Sequence, residues 1–285
     1  MQWRGRRESG NIEDRRGMSG GGIAFGGIGG LIIAAVIYFL GGNPSDVLQQ
    51  APADQSNYTT DANDTLKSYI GVVLGDTEDV WDSLFNSMNR QYTDPTLVLF
   101  SGSTQAGCGY ASAATGPFYC PTDQKVYIDL SFFNELTTRF GAQNGDFAMA
   151  YVLAHEVGHH VQHLLGITDQ VDNLRSQLSE TENNKMSVKL ELQADFLAGV
   201  WAHYNQQMKH VLDAGDIEEA LSAANAVGDD RLQQQAQGHV FPDTFTHGSS
   251  EQRMYWFKKG FETGDVNQGD TFGNGEFVTA LVCFE

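Results

Sequence analysis

The chain has 285 residues and a formal net charge of −19 at pH 7, enough length for one sizeable domain or two small ones. The charge is uneven, because the first 22 residues carry five arginines against three acids and the acidic excess lies downstream. So acidic a body repels phosphate within a Debye length, which excludes nucleic acid as a partner.

Ile23 to Leu40 (IAFGGIGGLIIAAVIYFL) is apolar or glycine throughout, and no charge occurs between Gly17 and Asp46. As a helix it spans roughly 27 Å, close to a hydrocarbon core. Arg4, Arg6, Arg7, Arg15 and Arg16 precede it and Asp46, Asp54 and Asp61 follow, so the positive-inside rule places the N-terminus in the cytoplasm. The expected organisation is therefore a cytoplasmic Arg-rich N-terminus over 1–22, a transmembrane anchor over 23–41, a polar linker over 42–64 and an extracytoplasmic domain over 65–285. The competing reading is a cleaved signal peptide. Against it, the apolar run exceeds a signal h-region, and GGNPSDV offers no clear small-x-small cleavage site.

From Leu66 the apolar period is helical through Tyr92, with Gly75 expected to separate two helices. Thr96 to Phe100 and Lys125 to Leu130 (KVYIDL) read as strands. Between them Cys108 and Cys120 sit in a Gly-, Ser- and Thr-rich segment where a disulfide could close a short loop, as an extracytoplasmic compartment would allow. Cys283 is left over and reads as a small buried hydrophobe. Helices dominate downstream, which makes the expected fold class α+β, mostly helical with a small sheet, preceded by one transmembrane helix.

One helix is expected after Asn144-Gly145-Asp146, running to a C-terminal Gly166. Inside it lies His155-Glu156-Val157-Gly158-His159, an H-E-x-x-H sequence. Residues four apart on a helix differ by about 40° in azimuth, so both imidazoles can reach one ion. Glu156, rotated by about 100°, is poorly placed as a third ligand but can take a proton from water at the metal. His160 is rotated off this stripe, and His163 lies about 6 Å further along the axis. The metzincin extension would need Gly and His where Gln162 and Leu165 stand, so the third ligand must come from elsewhere.

After a polar connector, a helix from roughly Val188 to Gln207 carries Glu191-Leu192-Gln193-Ala194-Asp195 among apolar neighbours. Glu191 can complete a two-His, one-Glu zinc set, and Asp195, one turn on, can accept the free N–H of a ligand imidazole. A last helix opens at Ser249 with Gln252 as its capping-box partner and stops near Gly264. His247, just before it, is a candidate for stabilising a developing oxyanion; the alternative is a loop histidine that helps cap the helix.

The chain resembles the bacterial family called putative neutral zinc metallopeptidases through MQWRGRRES, GCGYASAATGPFYCPTDQKVYIDLSFF, AHEVGHHVQ, ELQADFLAGVWA and HGSSEQRMYWFKKGFETGD. More distantly, HE-x-x-H followed by E-x-x-x-D resembles the gluzincins, the thermolysin-like clan. The resemblance implies a gluzincin-like domain with Zn²⁺ on His155, His159 and Glu191, Glu156 as general base and Asp195 behind the ligands. His247 and Arg253 match loosely the H-x-x-x-x-x-R of membrane-bound CAAX-type and heat-shock peptidases. It also implies substrate added as a strand along a sheet edge, with Pro117 to Asp129 as the candidate edge and Tyr127 nearby.

The function expected is a membrane-anchored peptidase cleaving proteins or peptides, by an endopeptidase action. The alternatives are a catalytically silent zinc-fold adaptor or assembly factor and an amidase acting on cell-wall peptide. A silent relative often loses its base; here Glu156 is in place.

Overall fold

A computed structural model describes residues 1–17 and 60–273. A long helix, α1 (Thr60–Ser87), lies in the chain between the first strand and the rest of a mixed four-stranded sheet. Its strands β1 (Ile12–Asp14), β2 (Thr96–Phe100), β5 (Phe118–Cys120) and β6 (Lys125–Asp129) lie in the order β1-β2-β6-β5. β1, β2 and β6 are parallel, while β5 runs antiparallel on the edge. A hairpin of β3 (Ser103–Ala106) and β4 (Gly109–Ser112) stands beside the sheet, and the Cys108–Cys120 disulfide ties it to β5. The remaining helices are α2 (Phe132–Thr138), α3 (Asp146–Leu164), α4 (Ile167–Arg175), α5 (Glu180–Lys209), α6 (Asp216–Ala226), α7 (Asp229–Gln237) and α8 (Ser250–Thr263).

Thr-Leu-Val-Leu-Phe in β2 is a continuous apolar run because both faces of the sheet are covered. Leu97, Leu99, Val126 and Ile128 enter the main core with the helices. Val98, Phe100 and Tyr127 pack on the opposite face with Ala106 and Cys120. On the helical side Phe147 of α3 stacks on Trp201 of α5, and Tyr151 meets Phe257 of α8 edge to face.

The helices approach to backbone contact. A Cβ added at Gly199 of α5 would sit 2.0 Å from the Phe257 carbonyl oxygen, and one at Gly260 of α8 would sit 2.0 Å from that of Phe196. At Gly158 of α3 the obstacle is the Ala194 carbonyl of α5, at 2.9 Å. Glycine is needed here for the space a side chain would fill.

The N-terminal residues belong to this body. β1 pairs with β2, and Ser9 donates its backbone N–H to the Gly71 carbonyl at 2.9 Å. Arg6 pairs with Asp76, Arg7 with Glu78 and Asp79, Arg15 with Glu13 and Arg16 with Asp14. The Met1 amine lies 2.6 Å from Asp146 and 3.2 Å from Asp216.

These contacts correct the expected topology. Among the described residues no helix is long and apolar enough to cross a membrane, and Ile23 to Leu40 lies outside them. A single crossing after residue 22 would put β1 and β2 on opposite sides of a bilayer, yet they share a ladder. The transmembrane helix and the single-pass localisation, N-terminus cytoplasmic and catalytic domain extracytoplasmic, are therefore withdrawn. The arginine asymmetry has another cause: four of the five arginines have acidic partners in the fold.

Two local expectations also change. α1 runs unbroken through Gly75, whose missing side chain lets the Arg7 carbonyl oxygen come within 3.1 Å of where its Cβ would be. The connector expected before Val188 holds α4 and the first turns of α5, which start at a Ser179/Glu182 capping box. The linker is outside the described residues up to Thr60, as is Cys283.

Candidate active site

α3 carries the H-E-x-x-H sequence at its buried centre, and Gly158 admits the backbone of α5 beside it. Helix periodicity puts His155 and His159 on one face, and α5 brings Glu191 across to them. His155 Nε2 lies 3.1 Å from Glu191 Oε2, and His159 Nε2 lies 3.5 Å from Glu191 Oε1. One donor atom from each of the three falls within 4.8 Å of the others. Among the described residues the other such group is Asp146, Asp216 and Glu219, where the Met1 amine already supplies a cation.

Behind His155 stands a buried ionic network. Asp195 Oδ1 is 2.8 Å from His155 Nδ1 and accepts the Tyr151 hydroxyl at 2.6 Å. Arg253 of α8 donates to both oxygens of Asp195, Nε at 2.8 Å and Nη2 at 3.0 Å, and Nη2 reaches the Tyr151 oxygen at 3.2 Å. Burial alone would raise the Asp195 carboxyl; Arg253, then His155, outweigh it and hold the group below the usual carboxylate range. Burial likewise disfavours a charged His155, but Asp195 outweighs that and raises the imidazole.

Behind His159 the partners are neutral. Gln162 Oε1 lies 2.9 Å from His159 Nδ1. With both Nδ1 atoms facing oxygen acceptors, both Nε2 atoms are left toward Glu191. Two imidazole nitrogens and a carboxylate form a zinc donor set, and the residues present fit the ion.

Glu156 is buried beside this cluster, and burial raises its carboxyl above the ordinary value. A carboxylate shifted that way is a better proton acceptor near neutral pH.

His247 sits half-exposed at the rim. Asp229 Oδ2 accepts the backbone N–H groups of Thr246, His247 and Gly248, and Asp229 Oδ1 is 3.2 Å from His247 Nδ1. The loop is thus held by one buried acid at the start of α7. His160 is neutral, its imidazole lowered to about 4 by burial. It lies 2.6 Å from the Thr93 carbonyl oxygen and 2.9 Å from the Tyr119 hydroxyl, linking edge strand β5 to α3. His203 donates to the Phe261 carbonyl and joins α5 to α8.

Of the expected edge, Pro117 to Asp129, only β5 is at the border; β6 is interior, paired on both sides. Tyr127 points to the sheet face away from α3, stacked on Phe118 at 4.8 Å, because neighbouring strand residues alternate. Tyr151 and Gln162 were not singled out as site residues. Their spacing was the signal: Tyr151 is one turn before His155 on the ligand stripe, and Gln162 three residues after His159.

The sequence matches the family described as "Putative neutral zinc metallopeptidase" over residues 1–272. The chain belongs to that family. Its cofactor is zinc. It is 49% identical to "Uncharacterized protein YpfJ" of Escherichia coli strain K12, over 96% of this chain and 99% of that protein. It is 42% identical to "Uncharacterized protein Rv2575" of Mycobacterium tuberculosis strain H37Rv, over 82% of this chain and 84% of that protein. No solved structure matches it.

Proposed function

We propose that this protein is a zinc endopeptidase, with His155, His159 and Glu191 as metal ligands and Glu156 as general base. The observation carrying the reading is the convergence of three ligand atoms within 4.8 Å beside a buried carboxylate. Bound there, zinc supplies a Lewis acid that polarises the scissile carbonyl and lowers the pKa of water to about 7. Glu156 takes the proton of the attacking water and delivers it to the leaving amine. Asp195 and Gln162 hold the two imidazoles with their Nδ1 protons turned away from the ion. His247, backed by Asp229, donates to the oxygen on which negative charge develops. The substrate is a protein or peptide whose backbone pairs with β5, the edge strand on that side of the sheet among the described residues, itself tied to α3 through Tyr119 and His160.

Glu156→Gln keeps the side chain's size and all three ligands. Peptide hydrolysis, measured on casein or a mixed peptide library, should fall by about 10² to 10⁴ while zinc content and melting temperature hold. Full activity in Glu156→Gln would refute the mechanism. A fully zinc-loaded wild type that cleaves nothing would favour an adaptor.

A further inference from the structure

We infer that Gln162 is the positioning residue of His159, and that the proton on its ring is dictated by a chain of amides ending on the Gly269 carbonyl. This deepens the proposed site and rests on His159 being a ligand.

The polarity of the chain has one solution. Gln162 presents one end of its amide to His159 Nδ1 at 2.9 Å. Its other end lies 2.7 Å from the Leu190 carbonyl oxygen and 3.0 Å from the Gln193 amide oxygen. The far end of Gln193 lies 3.0 Å from the Gly269 carbonyl oxygen. Backbone carbonyls only accept, so Gln193 donates to Gly269 and must turn its oxygen to Gln162. Gln162, with two acceptors on that side, must present its NH₂ to them and its oxygen to His159. An amide oxygen cannot donate, so His159 Nδ1 carries a proton, and Nε2, on the Glu191 side, is the ring nitrogen left to face the ion.

Gln162 and Gln193 are buried, so a reversed amide would oppose acceptor to acceptor where water cannot relieve it. The chain also reaches beyond the two ligand helices, because Gly269 lies after α8. A Cβ at Gly269 would strike the Phe196 ring at 2.6 Å, and glycine lets that carbonyl sit against α5.

The experiment compares Gln162→Met with Gln162→Glu in the full chain, reading zinc affinity by competition with a calibrated chelator, with His159→Ala as reference. Both substitutions remove the donors to Leu190 and Gln193; only Glu keeps an acceptor for His159. The expected result is a 10- to 100-fold weaker zinc affinity in Gln162→Met, with Gln162→Glu recovering at least tenfold of it. A merely structural Gln162 would leave the two variants equally weakened, and that result overturns the inference, as does wild-type affinity in Gln162→Met. If His159→Ala itself binds zinc like wild type, the ligand reading fails instead. Should a variant not fold, the zinc-free wild type decides: with no ion on Nε2, a long-range ¹H–¹⁵N spectrum must still place a proton on His159 Nδ1, and a ring protonated on Nε2 alone sinks the proposal.

Discussion

Behind His155 stand a carboxylate, a guanidinium and a phenol; behind His159 stand two primary amides and two backbone carbonyls. Both sets orient an imidazole toward Glu191, yet they fail differently when broken. A buried ion pair that loses a member leaves an uncompensated charge in a medium that cannot solvate it. A broken amide link leaves a dipole short of a partner, which costs less. The ionic side also joins three helices, since Tyr151 lies on α3, Asp195 on α5 and Arg253 on α8.

The largest effect is therefore expected on the ionic side. Arg253→Met should destabilise the zinc-loaded protein by about 3–5 kcal/mol in denaturant unfolding, because Asp195 keeps its charge and loses its counter-ion. Adding Asp195→Asn should recover much of that loss. If the double variant is as unstable as the two losses summed, Arg253 and Asp195 are not coupled and the distinction between the two sides collapses.

The frame both sides share comes next. Gly199→Ala inserts a methyl group where the Phe257 carbonyl stands, so α5 and α8 must part. A loss of about 1–3 kcal/mol is expected, with the Arg253–Asp195 contact stretched before the amide chain. A variant with wild-type melting temperature would show that the helices have slack there.

On the amide side, Gln193→Leu should cost about 1–3 kcal/mol, from the Gly269 carbonyl and the Gln162 amide left short of partners. A loss equal to that of Arg253→Met would erase the comparison.

Acidity probes the His155 side. His155 is raised by Asp195 and binds a proton more tightly than a free imidazole, so protons compete with zinc and its affinity should fall as pH is lowered. Chelator titrations at several pH values measure this; a flat profile would mean that no ligand proton is displaced.

The site was legible where its logic is local. His155, His159 and Glu156 share one helix, and Glu191 and Asp195 share another, so the 3.6-residue period alone arranges each set. The last helix was legible for the same reason, since Ser249 and Gln252 cap it reciprocally within one turn. Gln162 was visible only as a residue unsuited to a metzincin. What makes it a partner of His159 is Leu190 and Gln193, which fix its amide from another helix.

The N-terminus marks the limit of reading charge along a chain. Arginines before an apolar run look like an orientation signal, because hydropathy and charge counts register what a segment prefers and not what it touches. The acids that receive Arg6 and Arg7 lie about 70 residues away on α1, and β1 is three residues long, too short to stand out by alternation.

The sequence by itself determined that His155 and His159 share one helix face with Glu156 beside them, that Glu191 and Asp195 share a face of another, and where the last helix is capped, because each depends on residues within one or two turns of a single helix. Only the tertiary structure decided that Arg253 closes on Asp195, that amides orient His159, that β5 and not β6 is the edge, and that residues 1–17 join the body they precede. Those are meetings between elements distant in sequence, set by which surfaces can come into contact and, at Gly158, Gly199 and Gly260, by where a side chain is missing.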